Sequence, residues 1–206
     1  MRRALLALGL LVAAPLRAQG FDYYVLSLSW SPNWCALEGA AEGSPQCDPD
    51  ADFGWVLHGL WPQFEEGWPQ YCDSGHPDPS RRETAAMADI MGTGDLARHE
   101  WRKHGSCSGL SPEGYFALAR EAYEAVAIPD VFARLPRAVE LPASVVEEAF
   151  LRADPGLARD EVTVTCREGR IQEVRLCLTR DLEPRRCGAD AIRDCRLRHA
   201  LMAPVP

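Results

Sequence analysis

The chain has 206 residues and a formal net charge of -8, from 22 basic and 30 acidic side chains. Hydrophobic residues make up 47% of the sequence and charged residues 25%, which is typical of a globular protein with a sizeable core. This acidic balance argues against broad nonspecific binding of nucleic acid, because such binding depends on many contacts between Lys or Arg and phosphate. A small local cluster of basic residues remains compatible with an enzyme, and Arg98, Arg102 and Lys103 form one.

The first 18 residues have the pattern of a secretory signal peptide. Arg2 and Arg3 precede an apolar run over residues 4–14, and Leu16-Arg17-Ala18 resembles a cleavage site. A membrane anchor is the alternative, but the run is well short of the ~20 residues that span a bilayer. We predict cleavage near Ala18, export to a periplasm or to the outside, no membrane association, and one mature domain over residues 19–206.

An even number of cysteines supports export. Eight cysteines in an exported chain indicate disulfides, although eight allow 105 pairings and spacing alone does not choose among them. A zinc site is the alternative, and it is disfavoured because no Cys-x-x-Cys or His-x-x-x-His spacing is present. The cysteines are Cys35, Cys47, Cys72, Cys107, Cys166, Cys177, Cys187 and Cys195.

The first third of the chain predicts two strands and a long loop. Residues 21–30 are rich in aromatic and β-forming residues and end at Ser31-Pro32, so they predict a strand. Residues 54–60 predict a second strand that carries His58 near its end. Proline and glycine dominate residues 61–79, which predicts a long loop of the kind that often carries function.

The rest of the chain predicts four helices followed by a hairpin. The N-terminal caps of the helices are predicted from Ser and Asp residues, and Pro112 suits a first helical position. Glu168-Gly169 is a turn signal between two β-forming runs. The predicted helices are 80–91 (capped by Ser80), 95–104 (capped by Asp95 and stopped by Gly105), 111–126 and 143–152 (capped by Ser144); the predicted strands are 162–166 and 171–178, and 129–142 is a mixed connection.

Residues 98–107 concentrate the chemically active side chains. On a helix, at about 100° per residue, His99, Glu100, Lys103 and His104 fall within an arc of roughly 140°. Imidazoles can transfer protons near neutral pH, and a lysine can hold an anion. Our hypothesis is that this segment meets the one that carries His58 and that the two form one site.

Both segments resemble the active-site segments of the ribonuclease T2 family. His58-Gly59-Leu60-Trp61-Pro62 and the run from His99 to Cys107 match the family's order and spacing, and residues 23–35 resemble its first strand. The resemblance implies an α+β fold in which helices flank a disulfide-stapled antiparallel sheet. It also implies a secreted, monomeric, metal-independent endoribonuclease that acts on single-stranded RNA without cofactor or obligate protein partner.

The family's chemistry implies a role for each of the five polar residues. The family uses the RNA's own 2′-hydroxyl as nucleophile, and it forms a 2′,3′-cyclic phosphate that is hydrolysed slowly to a 3′-phosphate. By resemblance, His104 is the general base and His58 the general acid, Lys103 and Glu100 stabilise the pentavalent phosphorus, and His99 binds phosphate. A carboxylate beside a phosphate is unfavourable, so we expect Glu100 to be protonated or paired with a histidine.

Three further residues are candidates for binding the RNA base. The family's counterpart of Trp61 lines the site, and an aromatic residue in the position of Trp68, shortly before Cys72, often stacks on a base. A packing role for Trp68 is an equal alternative. Gln63 stands where fungal members carry an Asp that reads the base, so we expect broad base specificity.

The resemblance also implies the disulfide pairing, and two other functions remain as alternatives. One is a metal-dependent phosphodiesterase that uses His58, His99, Glu100 and His104 as ligands. The other is a secreted binding or inhibitory protein on the same scaffold, which would be expected to lack a catalytic residue. The implied pairs are Cys35–Cys47, Cys72–Cys107, Cys166–Cys195 and Cys177–Cys187.

Overall fold

The computed structural model describes residues 20–206, so the predicted signal peptide lies outside the described residues. From residue 20 onward, no helix is long and apolar enough to cross a membrane. The strands are β1 (Tyr23–Trp30), β2 (Trp55–Gln63), β3 (Val139–Leu141), β4 (Val162–Arg167), β5 (Arg170–Leu178) and β6 (Ala200–Met202). The α-helices are α1 (Ser31–Trp34), α2 (Arg81–Ala85), α3 (Ala88–Met91), α4 (Gly94–Lys103), α5 (Pro112–Ala125) and α6 (Ala143–Ala153).

The six strands form one sheet. Their order is β2-β1-β5-β6-β3, and β4 pairs with β5 as well. All pairs are antiparallel except β5 with β6, which meet in parallel at Arg170 and Leu201. This sheet with flanking helices confirms the predicted α+β fold, and it leaves β2 on an edge, where α4 packs against it.

The two faces of the sheet have different environments because side chains alternate along each strand. On β1, Tyr24, Leu26 and Leu28 belong to the main hydrophobic core. Val25 lies on the other face in a small cluster with Tyr23 and the disulfide between Cys177 and Cys187. Trp101 of α4 and Tyr115 and Phe116 of α5 complete the main core together with Phe150 of α6. The opposite face of the sheet is therefore left to form a cleft.

Several predicted boundaries are wrong. The predicted loop 61–79 begins too early, since β2 continues through Gln63, which pairs with Tyr23. The predicted helix 80–91 is broken into α2 and α3, because the Met87 amide donates to the Thr84 carbonyl and tightens the chain there. Ser80 does cap α2, in a reciprocal capping box with Glu83.

Two of the predicted helix caps are also wrong. Thr93, not Asp95, caps α4, and its hydroxyl accepts a hydrogen bond from the Leu96 amide. The helix predicted to be capped by Ser144 begins at Ala143 after Pro142, and the Ala143 amide donates to the Leu197 carbonyl instead of to a side-chain cap.

Asn33 joins the C-terminal strand to the rest of the sheet. Its side-chain amide donates to the carbonyls of Ile171 (2.7 Å) and Leu201 (2.9 Å), and its oxygen accepts from the Ala203 amide (3.1 Å). Asn33 is buried, so these bonds satisfy backbone groups that would otherwise be buried without partners. Because short strands held by one distant side chain leave no periodic signal, β3 and β6 were missed from the sequence.

All eight cysteines form disulfides, and the pairs are those that the resemblance implies. Cys72–Cys107 closes a separation of 35 residues and ties the loop after β2 to the turn after α4. Two hydrogen bonds reinforce this link: Tyr71 donates its amide to the Lys103 carbonyl (2.8 Å), and Cys72 donates its amide to Ser106 Oγ (3.1 Å).

Removal of this bridge should lower stability more than removal of a shorter one. In the chain-entropy account, a loop of this size contributes about 4 kcal/mol to the free energy of unfolding, whereas Cys35–Cys47, with a separation of 12 residues, contributes about 3 kcal/mol. Urea denaturation of the two double-alanine variants measures both losses. Equal losses, or a larger one for Cys35–Cys47, would contradict the expectation.

Candidate active site

A β-bulge in β2 directs two aromatic side chains into the cleft. Ser27 of β1 pairs with Gly59 and Leu28 pairs with Leu57, so His58 has no direct partner on β1. Trp55 and Leu57 face the main core before the bulge, and Leu60 faces it afterwards. The extra residue thus shifts the alternation by one position. His58 and Trp61 consequently open onto the same cleft, where both line one cavity.

The β2 segment that carries His58 and Trp61 meets the end of α4, as the sequence predicts. Glu100 belongs to α4, and His104 lies one residue beyond it, with φ -120° and ψ -50°. The position of His104 therefore depends on how the chain leaves the helix, not on helical periodicity alone. This close turn requires glycine at position 105. A Cβ on Gly105 would lie 2.8 Å from side-chain atoms of both Trp101 and Tyr115, which is too close for an ordinary contact.

Trp61 links the two segments. Its indole N–H donates to Glu100 Oε2 at 2.6 Å, and its ring stacks on that of His104, with centroids 5.2 Å apart and an interplanar angle of 29°. The edge of the His58 ring meets the same indole at 5.3 Å. Trp61 is therefore the common contact of both imidazoles and the buried carboxylate.

Two buried carboxylates approach His58. Its Nδ1 lies 2.6 Å from Glu173 Oε1, and its Nε2 lies 3.6 Å from Glu100 Oε1. Both carboxylate side chains are 2% exposed, whereas the His58 side chain is 33% exposed. Glu173 also accepts hydrogen bonds from Nε (2.9 Å) and a terminal nitrogen (2.6 Å) of Arg175. Glu173 and Arg175 were missed from the sequence, because neither belongs to a recognisable motif.

The environments of the two carboxylates shift their pKa values in opposite directions. Burial raises the pKa of Glu100 more than the charge of His58 and the indole hydrogen bond lower it. Burial also acts to raise the pKa of Glu173, but the hydrogen bond from His58 and the charges of His58 and Arg175 outweigh it and lower that pKa to about 2. Glu173 is therefore the ionised carboxylate, and Glu100 is shifted towards its protonated form.

The pKa values of the two histidines are also shifted in opposite directions. Burial lowers the pKa of His58, but the Glu173 hydrogen bond and the charges of Glu100 and Glu173 outweigh it, so that the pKa is raised. Burial, together with the charge of Lys103, lowers the pKa of His104 to about 3. The Nδ1 atom of His104 is buried and has no hydrogen-bond partner within residues 20–206, so no acceptor stabilises an imidazolium there. One cleft thus holds one imidazole favoured as a cation and one favoured as neutral.

The positive charge of the cleft differs from the cluster that the sequence indicates. Lys103 lines the cavity, but Arg102 pairs with Asp78 at the surface and Arg98 donates to the Pro79 carbonyl. Arg175 of β5 supplies the second cation, with its guanidinium carbon 5.2 Å from the centroid of the Trp61 ring.

The cavity brings together all eight site residues predicted from the sequence. Its volume is about 350 Å³, and a second cavity of about 550 Å³ shares His58, His99 and Glu173 with it. Trp68 is 52% exposed at the rim, whereas Gln63 is 6% exposed. Within the described part of the chain, no group of three or more His, Cys, Asp or Glu side chains is arranged to hold a metal ion. The eight predicted residues among those that line it are His58, Trp61, Gln63, Trp68, His99, Glu100, Lys103 and His104.

Substitution of Gly59 should disrupt this arrangement. A Cβ at Gly59 would lie 2.1 Å from Glu100 Oε2 and 2.4 Å from Trp61 Nε1, so Gly59→Ala forces their hydrogen bond apart. We expect a loss of about 1–3 kcal/mol in the free energy of unfolding, measured by urea denaturation. Gly114→Ala in α5 is the control, because its Cβ meets nothing closer than 3.5 Å and alanine favours helix. Equal stability of Gly59→Ala and the parent would refute the close packing.

Comparison with known proteins identifies the family. The model of the Ribonuclease T2 family matches residues 21–187. A ribonuclease of Aeromonas hydrophila is 40% identical over 129 residues, which cover 59% of this chain and 57% of that protein. A probable ribonuclease of Haemophilus influenzae is 36% identical over 121 residues, which cover 53% of this chain and 44% of that protein. The match thus spans about half the length of these relatives.

Solved structures share the fold at low sequence identity. Trichomaglin, described as an S-like ribonuclease, superposes with a TM-score of 0.71 and 21% identity over 91% of this chain and all of its own. A ribonuclease-related protein from Calystegia sepium superposes with a TM-score of 0.65 and 20% identity, over 90% of this chain and 97% of its own. From the family match over residues 21–187, together with this fold, we conclude that the chain belongs to the ribonuclease T2 family.

Proposed function

We propose that the protein is a secreted, metal-independent endoribonuclease that cleaves single-stranded RNA through a 2′,3′-cyclic phosphate to 3′-phosphate ends. The observation that carries this proposal is the pair of imidazoles in one cleft whose pKa values are shifted in opposite directions. Transphosphorylation needs a base at the 2′-oxygen and an acid at the departing 5′-oxygen in the same step. Family membership and relatives described as ribonucleases support the same function.

His104 acts as the general base. Its pKa of about 3 keeps the imidazole neutral at working pH, so a ring nitrogen can accept the proton of the 2′-hydroxyl. The stacking of Trp61 on the ring fixes its plane. A low pKa makes the base weak, but it also keeps the base in the reactive form over a wide pH range.

His58 acts as the general acid. Its raised pKa favours the protonated ring, and a third of its side chain is exposed, so the Nε2 proton can reach a leaving oxygen. After the transfer, the neutral ring can accept a proton from the water that opens the cyclic phosphate. His58 thus serves both steps with one nitrogen.

Three residues stabilise the charge on phosphorus. Lys103 supplies a full positive charge, and His99 contacts a phosphate oxygen at the boundary of the two cavities. A protonated Glu100 donates a hydrogen bond to the phosphorane without the repulsion that a carboxylate would cause. Its burial in the cleft supports this protonated form.

The base is bound next to the catalytic residues with little selection among bases. Trp68 is exposed and free to stack on a base, which is sequence-tolerant and contributes about 1–3 kcal/mol per base. Trp61 and Gln63 line the same cavity, and the Gln63 amide can both donate and accept. Base specificity is broad because stacking contributes more to binding than hydrogen bonds that select one base.

The disulfides support export of the protein. All eight cysteines are paired, which is typical of proteins outside the cytoplasm. The proposed enzyme acts there as a monomer without cofactor.

Digestion of a short single-stranded RNA in excess chelator tests the mechanism. We expect cleavage to products with 2′,3′-cyclic phosphate ends, read by mass, because the protons are transferred by side chains and the charge is stabilised without metal. His58→Ala and His104→Ala should each reduce the rate by at least about 100-fold. His76→Ala is the control, since His76 is exposed and outside both cavities.

Two results would contradict this mechanism. Cleavage that requires added metal, or 5′-phosphate ends, would favour the metal-dependent phosphodiesterase that uses the same histidines. No cleavage of any RNA by the correctly folded protein would favour a binding or inhibitory protein.

The pH dependence of kcat/KM should be broad on the acid side. Activity needs neutral His104, which holds above its pKa of about 3, and protonated His58, which holds below its raised pKa. The rate therefore falls as the pH rises through the pKa of His58, and we expect the optimum at or below neutral pH. Initial rates on one RNA substrate across the pH range measure both limbs. An optimum well above neutral pH would contradict the assignment.

A further inference from the structure

Glu173 makes the shortest polar contact of His58, and it comes from a strand that no active-site motif includes. The two residues lie on β5 and β2, with β1 between them. Glu173 pairs with Ser29 of β1, and Ser27 pairs with Gly59. Because Ser27 and Ser29 are small, they leave room on the cleft face of β1 for the two side chains to meet across the strand. The contact between Nδ1 and Oε1 is 2.6 Å long.

The Glu173 carboxylate is held at both of its oxygens. Oε1 contacts His58, and Oε2 accepts two hydrogen bonds from Arg175. Arg175 in turn lies over the face of Trp61. Because the carboxylate cannot rotate without breaking one of these contacts, the orientation of the His58 ring is fixed with respect to the sheet.

We propose that Glu173 is the positioning residue of His58: it holds Nδ1–H so that Nε2 is the atom that faces the cleft and exchanges the proton. This proposal rests on the proposed function, in which His58 is the general acid. An imidazole held at Nδ1 keeps the same ring orientation before and after it gives up the Nε2 proton. The ring is thereby ready both to protonate the 5′-oxygen and to accept a proton from water.

The other charged groups around His58 do not replace Glu173. Glu100, His99 and Lys103 of α4 and His104 after α4 line the same cavity as His58, and so does Asp190, whose carboxylate accepts from the Gly67 amide. Three of these are basic, and Glu100 faces Nε2 at 3.6 Å, too far for a normal hydrogen bond. On β5, Arg175 is already engaged with Glu173. Glu173 is therefore the one carboxylate in hydrogen-bond contact with His58 among the described residues.

Glu173→Gln tests the proposal, since the amide keeps the shape of the side chain and removes its charge. At about pH 7 we expect kcat to fall by about 10- to 100-fold with KM within about twofold, because the loss concerns proton transfer and not RNA binding. The basic limb of the pH profile should move to lower pH by about one unit, so that much of the rate returns under acid conditions. A structural role alone would not move this limb.

Glu147→Gln is the matched control. Glu147 of α6 is a mostly buried carboxylate, 14% exposed, that pairs with Arg159 and lines neither cavity. Its substitution should leave kcat, KM and the basic limb unchanged. If Glu173→Gln fails to fold because Arg175 is left unpaired, the double variant Glu173→Gln/Arg175→Gln removes both charges and takes its place.

An NMR titration of the His58 ring separates this proposal from the proposed function. The pKa of His58 should fall in the Glu173 variant whether or not the protein cleaves RNA, whereas absence of cleavage by the parent protein would contradict only the proposed function. The same His58 pKa in both proteins would overturn the positioning role. Failure of both Glu173→Gln and the double variant to fold would also overturn it, since Glu173 would then be needed for the stability of the fold.

Discussion

The bulge at His58 is the constraint on which the rest of the site depends. An uninterrupted β2 would alternate regularly, and Trp61 would then face the same side as Trp55 and Leu57, which belongs to the main core. The extra residue reverses the alternation and brings His58 and Trp61 onto the cleft face together. Gly59, next to the bulge, leaves the space that the Glu100 carboxylate occupies. One local irregularity thus allows a strand and a helix to share a single polar centre.

The ionisable groups of this centre fall into two classes, those shifted towards the ionised form and those shifted towards the neutral form. Four ionisable groups lie buried or partly buried around Trp61, and burial favours the neutral form of each. They are His58, His104, Glu100 and Glu173. Only the pair of His58 and Glu173 has hydrogen bonds and opposite charges strong enough to overcome burial, so this pair is shifted towards the ionised form. For Glu100, the indole hydrogen bond and the nearby positive charges are too weak to overcome burial, and His104 has no such support, so both are shifted towards the neutral form. The difference between the two histidines therefore comes from their neighbours and not from their depth alone.

The sequence predicted those parts of the site that are local in the chain. The segments around His58 and His104 each place several functional residues within a few positions, so a motif is visible without any knowledge of the fold. Glu173 and Arg175 come from a β-hairpin more than a hundred residues after His58, and their contacts exist only because β1 brings β2 and β5 to its two edges. The alternation in β5 predicts a strand, but it does not show which residue faces a histidine. Long-range pairing of this kind is not encoded in any short window.

The fold separates the proposed catalytic residues, which form a rigid centre, from Trp68, the proposed base-binding residue, which is exposed. His58, Glu100 and Glu173 lie on two strands and a helix, where the backbone fixes their distances. Trp68 instead stands on a loop rich in proline and glycine, and the Cys72–Cys107 bridge holds this loop to the turn that carries His104. The bridge limits how far Trp68 can move from the turn that carries His104, while the exposed Trp68 ring makes no fixed pattern of hydrogen bonds within the described chain. Under the proposed function, such an arrangement favours exact placement of the phosphate over discrimination among bases.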